Sequence, residues 1–564
     1  MSEIMQLTNA LPSDSIRTQL ARIIGSREFT NAPRLSRFLT YLVEEALAGR
    51  SDHLKGYTIG VDVFDKPADF DPQTDTIVRV QARALRQKLD RYYTQSAKDD
   101  PIHISISKGG YAPTFSTSCD DERPSDATAT LRPKVTRKPS IAVLPFDRFC
   151  FEKDYDFISL ELAEGVISNL SRFSGLSVFS RSTTEKAKLD HMSIAQMYDL
   201  FYPDFVLEGS FRIHDDLIET HFKLIDAAVD EVLMTDSIEM RWDAGNINGL
   251  KDEMATRIAA RIAVEYGPIG IYAQQAGFTG NTIKWITHAW ISRYFQNGFQ
   301  LDKKARDDIE TGLMNAVKSD PTSAEAHAAL AMIAIEQYRA VSPDVGDPAR
   351  LDRAMECASL AVRLGPQSAM AHQSMALAYF HARRFGDFRT SVRRALYLNP
   401  SHSDMLATFA ICFVRLAEWD EAIPLLDRGA ALNPLHPNWY HIPKATFLMM
   451  TRGPDEAIAE IKKHPMPDTF GFHSLLVWFH VEAGDMDAAK VEKGRLLAAA
   501  PAAETFTRRY FDAICLCDEI ANRAIAALCK AGLQIAGRED RQGGFALPNG
   551  DKQESFQGPT RLRI

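Results

Sequence analysis

TDTIVRVQARALRQKLDRYY (residues 74–93), TQSAKDD (94–100) and PIHISISKGGYAPTF (101–115) together decide how the first part of this chain folds. In the first segment Val78, Ala82, Leu85, Leu89 and Tyr92 recur at steps of four and three, the spacing of one apolar stripe along a helix. Arg79, Arg83 and Arg86 recur at the same steps on a different face. In the last segment Ile102, Ile104 and Ile106 alternate with His103, Ser105 and Ser107, the period of a half-buried strand. Lys108-Gly109-Gly110 reads as a tight turn, with Tyr111 to Phe115 returning as the partner strand. The pattern predicts a basic helix, a polar turn and a hairpin with a basic tip. Three arginines on one face of an isolated helix are commonly just a solvated surface; the hairpin and its lysine shift the reading towards a nucleic-acid contact.

Working outward, Ser13 or Asp14 is expected to cap a helix that turns Ile16, Leu20, Ile23 and Ile24 inward. Pro33 begins a second helix with a wide face of Leu35, Phe38, Leu39, Leu42, Val43, Ala46 and Leu47, ended by Gly49. A third short helix is expected near Leu54 to Val63. Asp69, Asp71 and Asp75 lack the glycine and the spacing of a calcium loop and read as turn and capping residues. Helices and a hairpin in this order form the layout in which a helix enters the major groove and a wing touches phosphate or minor groove.

Residues 13–115 resemble the winged-helix output domain of OmpR/PhoB-type response regulators. The resemblance rests on Val78-Arg79-Val80, Ala84-Leu85-Arg86-Gln87-Lys88-Leu89 and Ser107-Lys108-Gly109-Gly110-Tyr111. It departs from that family in having no phospho-acceptor receiver domain before it. Arg79, Arg83 and Arg86 are the expected readers of base edges or flanking phosphates, with Arg34, Arg37 and Lys108 as backbone clamps. The expected partner is double-stranded DNA.

The 564 residues are enough for several domains. The net charge of −9 excludes a simple polycation. Residues 13–115 hold 15 Lys and Arg against 13 Asp and Glu, so the acidity lies elsewhere and any DNA contact must come from local clustering. Seven scattered cysteines, none in a CxxC pair, suit reduced thiols. No apolar run is long enough to span a membrane, and MSEIMQLTNALPSDS lacks the regions of a signal peptide, so a cytoplasmic protein is expected.

From Ser116 to Pro139 the composition turns to Ser, Thr, Asp, Arg and Pro, as in a flexible linker. Ser140 opens a second section with the buried-strand run IAVLPF (141–146), a helix from Phe157 to Phe173, a strand at Leu176–Phe179, and a helix from Met254 to Val264. Strands at Phe205–Ser210 and Ile218–Ile225 are joined by a turn at Asp215-Asp216. The alternation indicates an α/β layer domain over residues 140–268. SIAVLPF, ELAEGVISNLSRF and the FVLEGSFR…KLIDA hairpin resemble the amino-terminal domain of TolB. That resemblance implies no catalytic site.

The third section is repetitive. Pro366, Pro400 and Pro434 are spaced by 34 residues, as are Ala376 and Ala410, and Phe385 and Trp419. This is the period of tetratricopeptide repeats, expected over residues 284–537. The unit from Pro321 to Pro366 carries an insertion placed at Val341–Ala349. The first helices, beginning near Ser368, Ser401 and Pro437, would line a concave groove for a protein or peptide partner. Gln373, Tyr379, Asp404, Phe409 and Tyr440 are the candidate groove positions; packing between helices competes with that role for Tyr379 and Phe409. His327, His372 and His441 read as packed or surface groups rather than ligands. Residues 538–564 are polar, Gly-rich and expected to be disordered.

Phosphate-binding, dinucleotide, metalloprotease, hydrolase, kinase and receiver motifs are all missing from the sequence. The expected fold is multidomain: a winged helix (α+β), an α/β TolB-like layer and an all-α tetratricopeptide superhelix. The expected function is that of a non-enzymatic DNA-binding transcriptional regulator without a cofactor, with self-association as a further expectation. The alternatives are a scaffold that never touches DNA and a relative of proteins named adenylate cyclase, whose TolB-like and repeat parts recur behind a catalytic domain this chain lacks.

Overall fold

A computed structural model describes residues 12–30, 32–67, 77–95, 100–106, 111–117, 138–149, 156–214, 216–279, 285–297, 303–342 and 344–535. The expected turn at Lys108, the Asp69–Asp75 segment, most of the expected linker and the expected tail lie outside these residues, as do the side chains of Arg79 and Arg83. The chain is mostly helical and divides into two compact units. One holds the N-terminal module with residues 186–206 and 226–231; the other holds the remainder from residue 132. None of the described helices is long and apolar enough to cross a membrane.

The N-terminal module comprises α1 (Ser13–Ile24), α2 (Arg27–Thr30), α3 (Pro33–Leu47), α4 (Gly56–Phe64), α5 (Ile77–Gln95), and strands β1 (Ile102–Ile106) and β2 (Pro113–Thr117). Pro12, not Ser13 or Asp14, occupies the cap of α1; its carbonyl accepts from the Ser15 and Ile16 amides. Gly49 has φ +75°, the left-handed conformation that stops the chain after α3. Strands β1 and β2 pair antiparallel, with Ile102 opposite Thr117 and Ile106 opposite Pro113, so the return strand runs two residues later than expected. The three isoleucines are buried, as their alternation requires. Every residue of the predicted α5 stripe is at most 5 % exposed.

The sheet-bearing section contains β3 (Ser140–Val143), β4 (Asp147–Arg148), α6 (Asp156–Leu170), β5 (Ser177–Val178), α7 (Arg181–Leu189), α8 (Ile194–Phe201), β6 (Phe205–His214), β7 (Leu217–Asp226), β8 (Glu231–Arg241) and α9 (Ile247–Ala263). The strand order is β5-β3-β6-β7-β8, with β4 beside β6. Strands β3 and β5 are parallel, as are β4 and β6. Helices α6 and α9 pack together closely: a Cβ on Gly165 would lie 2.9 Å from that of Ala255. Helix α8 lies with the N-terminal module, where it packs against α5 and adds Tyr198 and Tyr202 to the module core.

Helices α10 (Pro268–Thr279), α11 (Ile286–Asn297) and α12 (Lys303–Ser319) lead into six pairs. These are α13 (Ala324–Tyr338) with α14 (Pro348–Leu364), α15 (Ala369–His381) with α16 (Phe385–Leu398), and α17 (Ser403–Arg415) with α18 (Trp419–Leu432). Then come α19 (His441–Thr451) with α20 (Pro454–Lys463), α21 (Phe470–Glu482) with α22 (Met486–Ala499), and α23 (Ala503–Ala513) with α24 (Asp518–Lys530). The insertion expected at Val341–Ala349 falls between α13 and α14 except for its last two residues, which open α14. The residues preceding the repeating prolines supply the turn chemistry. Asn399 Oδ1 accepts from the Ser401 amide at 3.1 Å, Asn433 Oδ1 from Leu435 at 3.2 Å, and Asp320 Oδ1 from Thr322 at 3.1 Å. Ser323, Ser368 and His402 then cap the next helix. One apolar core runs from Ala260 through Leu533.

Candidate functional sites

On α5 the buried stripe is wider than its apolar residues alone indicated. Gln81, Ala84 and Lys88 are also buried, and Lys88 Nζ sits 5.9 Å from the centre of the Phe29 ring. The helix period leaves positions 79, 83 and 86 together on the remaining face. Arg86 is half-buried there: its Nε donates to the Ile106 carbonyl at 3.1 Å, fastening α5 to the hairpin. Burial lowers its pKa from the usual arginine value. This arginine has an evident structural role whatever else it contacts.

The α3 cations differ from each other. Arg34 is exposed and makes no hydrogen bond or ion pair among the described residues, although its charge, after that of Arg37, helps lower the Asp65 pKa. Arg37 forms a two-pronged ion pair with Asp65 at 2.8 and 2.9 Å and also donates to the Asp62 carbonyl. Arg17 is paired with Glu44, and Arg50 with Glu45. These pairs are exposed and screened by solvent, so each contributes little to stability. Beneath them, Asp100 accepts from the Tyr92 hydroxyl at 2.6 Å and from the Gln19 amide, tying α1 to the end of α5.

In the second unit, the turns that start the first helices of the repeats meet α6 and α9. Ser401 Oγ donates to Asn169 Oδ1 at 2.8 Å, and Asn399 Nδ2 to the Arg172 carbonyl at 3.4 Å. Asn433 Nδ2 donates to the Tyr266 hydroxyl at 2.9 Å. Arg428 and Arg257 both donate to Glu253, at 2.7 and 2.6 Å. His402 and Glu265, both buried, meet at 3.1 Å. Burial pushes the Glu265 carboxyl up, but His402 outweighs it and leaves the pKa below the ordinary value. The α/β layer and the array therefore share one polar interface. Nothing in the periodic pattern of the sequence pointed to it, because the Asn of each Asn-Pro pair already has a local turn to close.

Four of the five expected groove residues are closed off. Phe409 is fully buried, its ring 6.5 Å from that of Phe388, and is a core residue; Tyr440, Gln373 and Asp404 are 2 %, 1 % and 6 % exposed. Tyr379 is half-buried under the Arg384 guanidinium, 4.5 Å from the ring centre. Small residues on facing helices draw the pairs together, as at Gly429, where a Cβ would meet the Ser403 carbonyl at 2.9 Å. What remains inside is a cavity of about 50 Å³, lined in part by Gln373, Asp404, Glu336, Arg339 and Arg415. It has room for a few waters and not for a peptide. Tyr440 donates to Asp404 Oδ1 at 3.3 Å, and burial pushes the Asp404 pKa up to about 7. Arg339 is bound by Glu336 at 2.5 and 2.9 Å.

His327 and His372 close their own turns against the Pro321 and Pro366 carbonyls, at 3.2 and 3.1 Å, while His441 faces Glu460 at 2.8 Å. Among the described residues no group of three or more His, Cys, Asp or Glu is placed to hold a metal ion.

Residues 136–257 match the profile of the second domain of HilA/YgeH-like transcriptional regulators. This segment overlaps residues 140–268, the section expected to form an α/β layer. A Rhizobium meliloti (strain 1021) protein named "Putative adenylate cyclase 3" is 25% identical over 304 residues, 52% of this chain and 48% of that protein. The chain thus spans about half the length of the curated relative it matches. Among solved structures, Pseudomonas aeruginosa PilF is 17% identical with a TM-score of 0.28, covering 38% of this chain and 92% of PilF. A tetratricopeptide repeat protein from Parabacteroides merdae is 11% identical with a TM-score of 0.30, covering 50% of this chain and 92% of that one. YrrB, described as a TPR protein with an unusual peptide-binding site, is 15% identical with a TM-score of 0.24, covering 38% and 97%. The repeat assignment rests on the 34-residue period and the helix pairs of this chain.

Proposed function

We propose that this chain is a cytoplasmic DNA-binding transcriptional regulator whose N-terminal module is a winged helix. The observation that carries the reading is the match of residues 136–257 to the second domain of transcriptional regulators, following in sequence a module in which helix α5 leads into an antiparallel hairpin. In this reading α5 enters the major groove with Arg79 and Arg83 towards base edges, and Arg86 holds the hairpin so that Lys108 meets phosphate. Arg34 and Arg37 on α3 clamp the backbone. The α/β layer, TolB-like in its sequence, and the repeat array act as one body through the Asn169, Glu253, Glu265 and Tyr266 contacts. A protein partner engages the array at Tyr379, the one candidate groove position that is only half-buried, beneath the Arg384 guanidinium. The chain is not an enzyme in this reading, and the cyclase name stays with the relative.

The competing reading is a scaffold that does not touch DNA, favoured by the acids that neutralise Arg17, Arg37 and Arg50. Mobility shift of labelled genomic duplexes over a salt series decides between them. A regulator shows a bound species that weakens steeply with salt; a scaffold shows none.

A further inference from the structure

Arg415 is the last residue of α17 and only 7 % exposed, yet among the described residues its side chain has no carboxylate, hydrogen-bond or ring partner. It lines the interior cavity. The other guanidinium there, Arg339, is fully engaged by Glu336, which also accepts from the Tyr294 hydroxyl at 3.2 Å. His381, at the matching end of α15, adds no compensating charge: its Nδ1 donates to the Ala513 carbonyl, and burial beside Arg339 and Arg415 pushes its pKa down to about 3. The two acids in the cavity lining are held elsewhere, Glu336 by Arg339 and Asp404 by the Tyr440 hydroxyl, so Arg415 is a buried positive charge with no carboxylate paired to it. Desolvating a charge without a partner is costly, and a native fold that keeps one has something else to neutralise it. Further along the same cavity, Gln373 is 1 % exposed and its Oε1 has no partner. Leu377 and Ile411 contribute apolar lining to the same cavity.

We infer that the interior of the repeat array binds a small monocarboxylate, its carboxylate on the Arg415 guanidinium and its short apolar body against Leu377 and Ile411. The planar guanidinium fork matches a carboxylate with two parallel hydrogen bonds, which a spherical halide cannot use. The cavity volume of about 50 Å³ restricts the ligand to a few heavy atoms. The site is independent of the proposed DNA reading, since every residue in it belongs to the second unit.

The test uses the full chain. Sodium acetate and sodium propionate are titrated against sodium chloride at fixed ionic strength, with calorimetric heat and the melting temperature as readouts. The carboxylates are expected to raise the melting temperature saturably while chloride does not. Arg415→Met is expected to weaken carboxylate binding at least tenfold. Arg415→Lys, which keeps the charge and loses the fork, is expected to weaken it at least fivefold, and this variant decides the matter should Arg415→Met fail to fold. An absent carboxylate response, an equal response to chloride, or unchanged affinity in either folded variant overturns the inference.

Discussion

Replacing Asp404 with Asn tests whether the array interior holds a carboxyl group at a cost that depends on pH. The buried Asp404 titrates at about 7, against 3.8 for the ordinary group. Between those values the folded state keeps a proton that the unfolded state has lost. Stability therefore falls as pH rises, by about 1.4 kcal/mol per pH unit. Over about three pH units the difference approaches about 4 kcal/mol and is complete above pH 7. The pKa is set chiefly by burial, opposed by His402 and reinforced by Glu265. Asn keeps the shape and an acceptor for the Tyr440 hydroxyl, 3.3 Å away, but has no charge to desolvate. Urea unfolding followed by tryptophan fluorescence, with Trp439 in the cavity wall, reads the effect from pH 4.5 to 8.5. The variant should gain about 3 kcal/mol of stability on the parent between pH 4.5 and pH 8.5, most of it below pH 7. Parallel pH profiles, or an Asn variant less stable at pH 8.5, would refute a raised Asp404 pKa.

Three further outcomes are expected. Phe409→Ala, at a fully buried site, should lower stability by about 3–5 kcal/mol by thermal or urea unfolding, with DNA affinity per folded molecule unchanged. Arg86→Ala should release the Ile106 carbonyl and destabilise the N-terminal module by about 1–3 kcal/mol, read by hydrogen exchange of the β1 amides. Asn433→Ala removes both the turn to Leu435 and the bond to Tyr266; it should lower stability by about 1–3 kcal/mol and increase proteolytic cutting after α9.

Much of the fold was legible because local periodicity and turn chemistry act over short distances. The α5 stripe, the Ile102–Ile106 alternation and the Asn-Pro turns at residues 399 and 433 state which face is buried and where each helix ends. The same patterns are silent about what covers a face. RSTTEKAKL has no apolar stripe, and α7 was not expected. Helix α8 places Tyr198 and Tyr202 in the core of the N-terminal module from more than 80 residues beyond that module's hairpin. Arg86 has the spacing of a surface arginine but the surroundings of a fastening, since Ile106 comes to it from another element. Gln373 and Asp404, polar residues at candidate groove positions, line a small buried cavity. Arg415 could not be distinguished from a surface arginine ending a helix, because its burial comes from helices remote in sequence.

The most direct test of DNA reading by α5 is the salt dependence of full-chain binding to a duplex selected from genomic fragments. For the parent, log Kd should rise linearly with log salt, and Lys108→Ala should reduce that slope by about one while weakening all sequences alike. Arg83→Ala should cost about 1–3 kcal/mol on the selected site and little on a scrambled duplex. A folded Arg79→Ala/Arg83→Ala/Lys108→Ala variant that binds the selected duplex with unchanged affinity and salt slope would contradict the assignment of α5 and its hairpin as the DNA-reading surface.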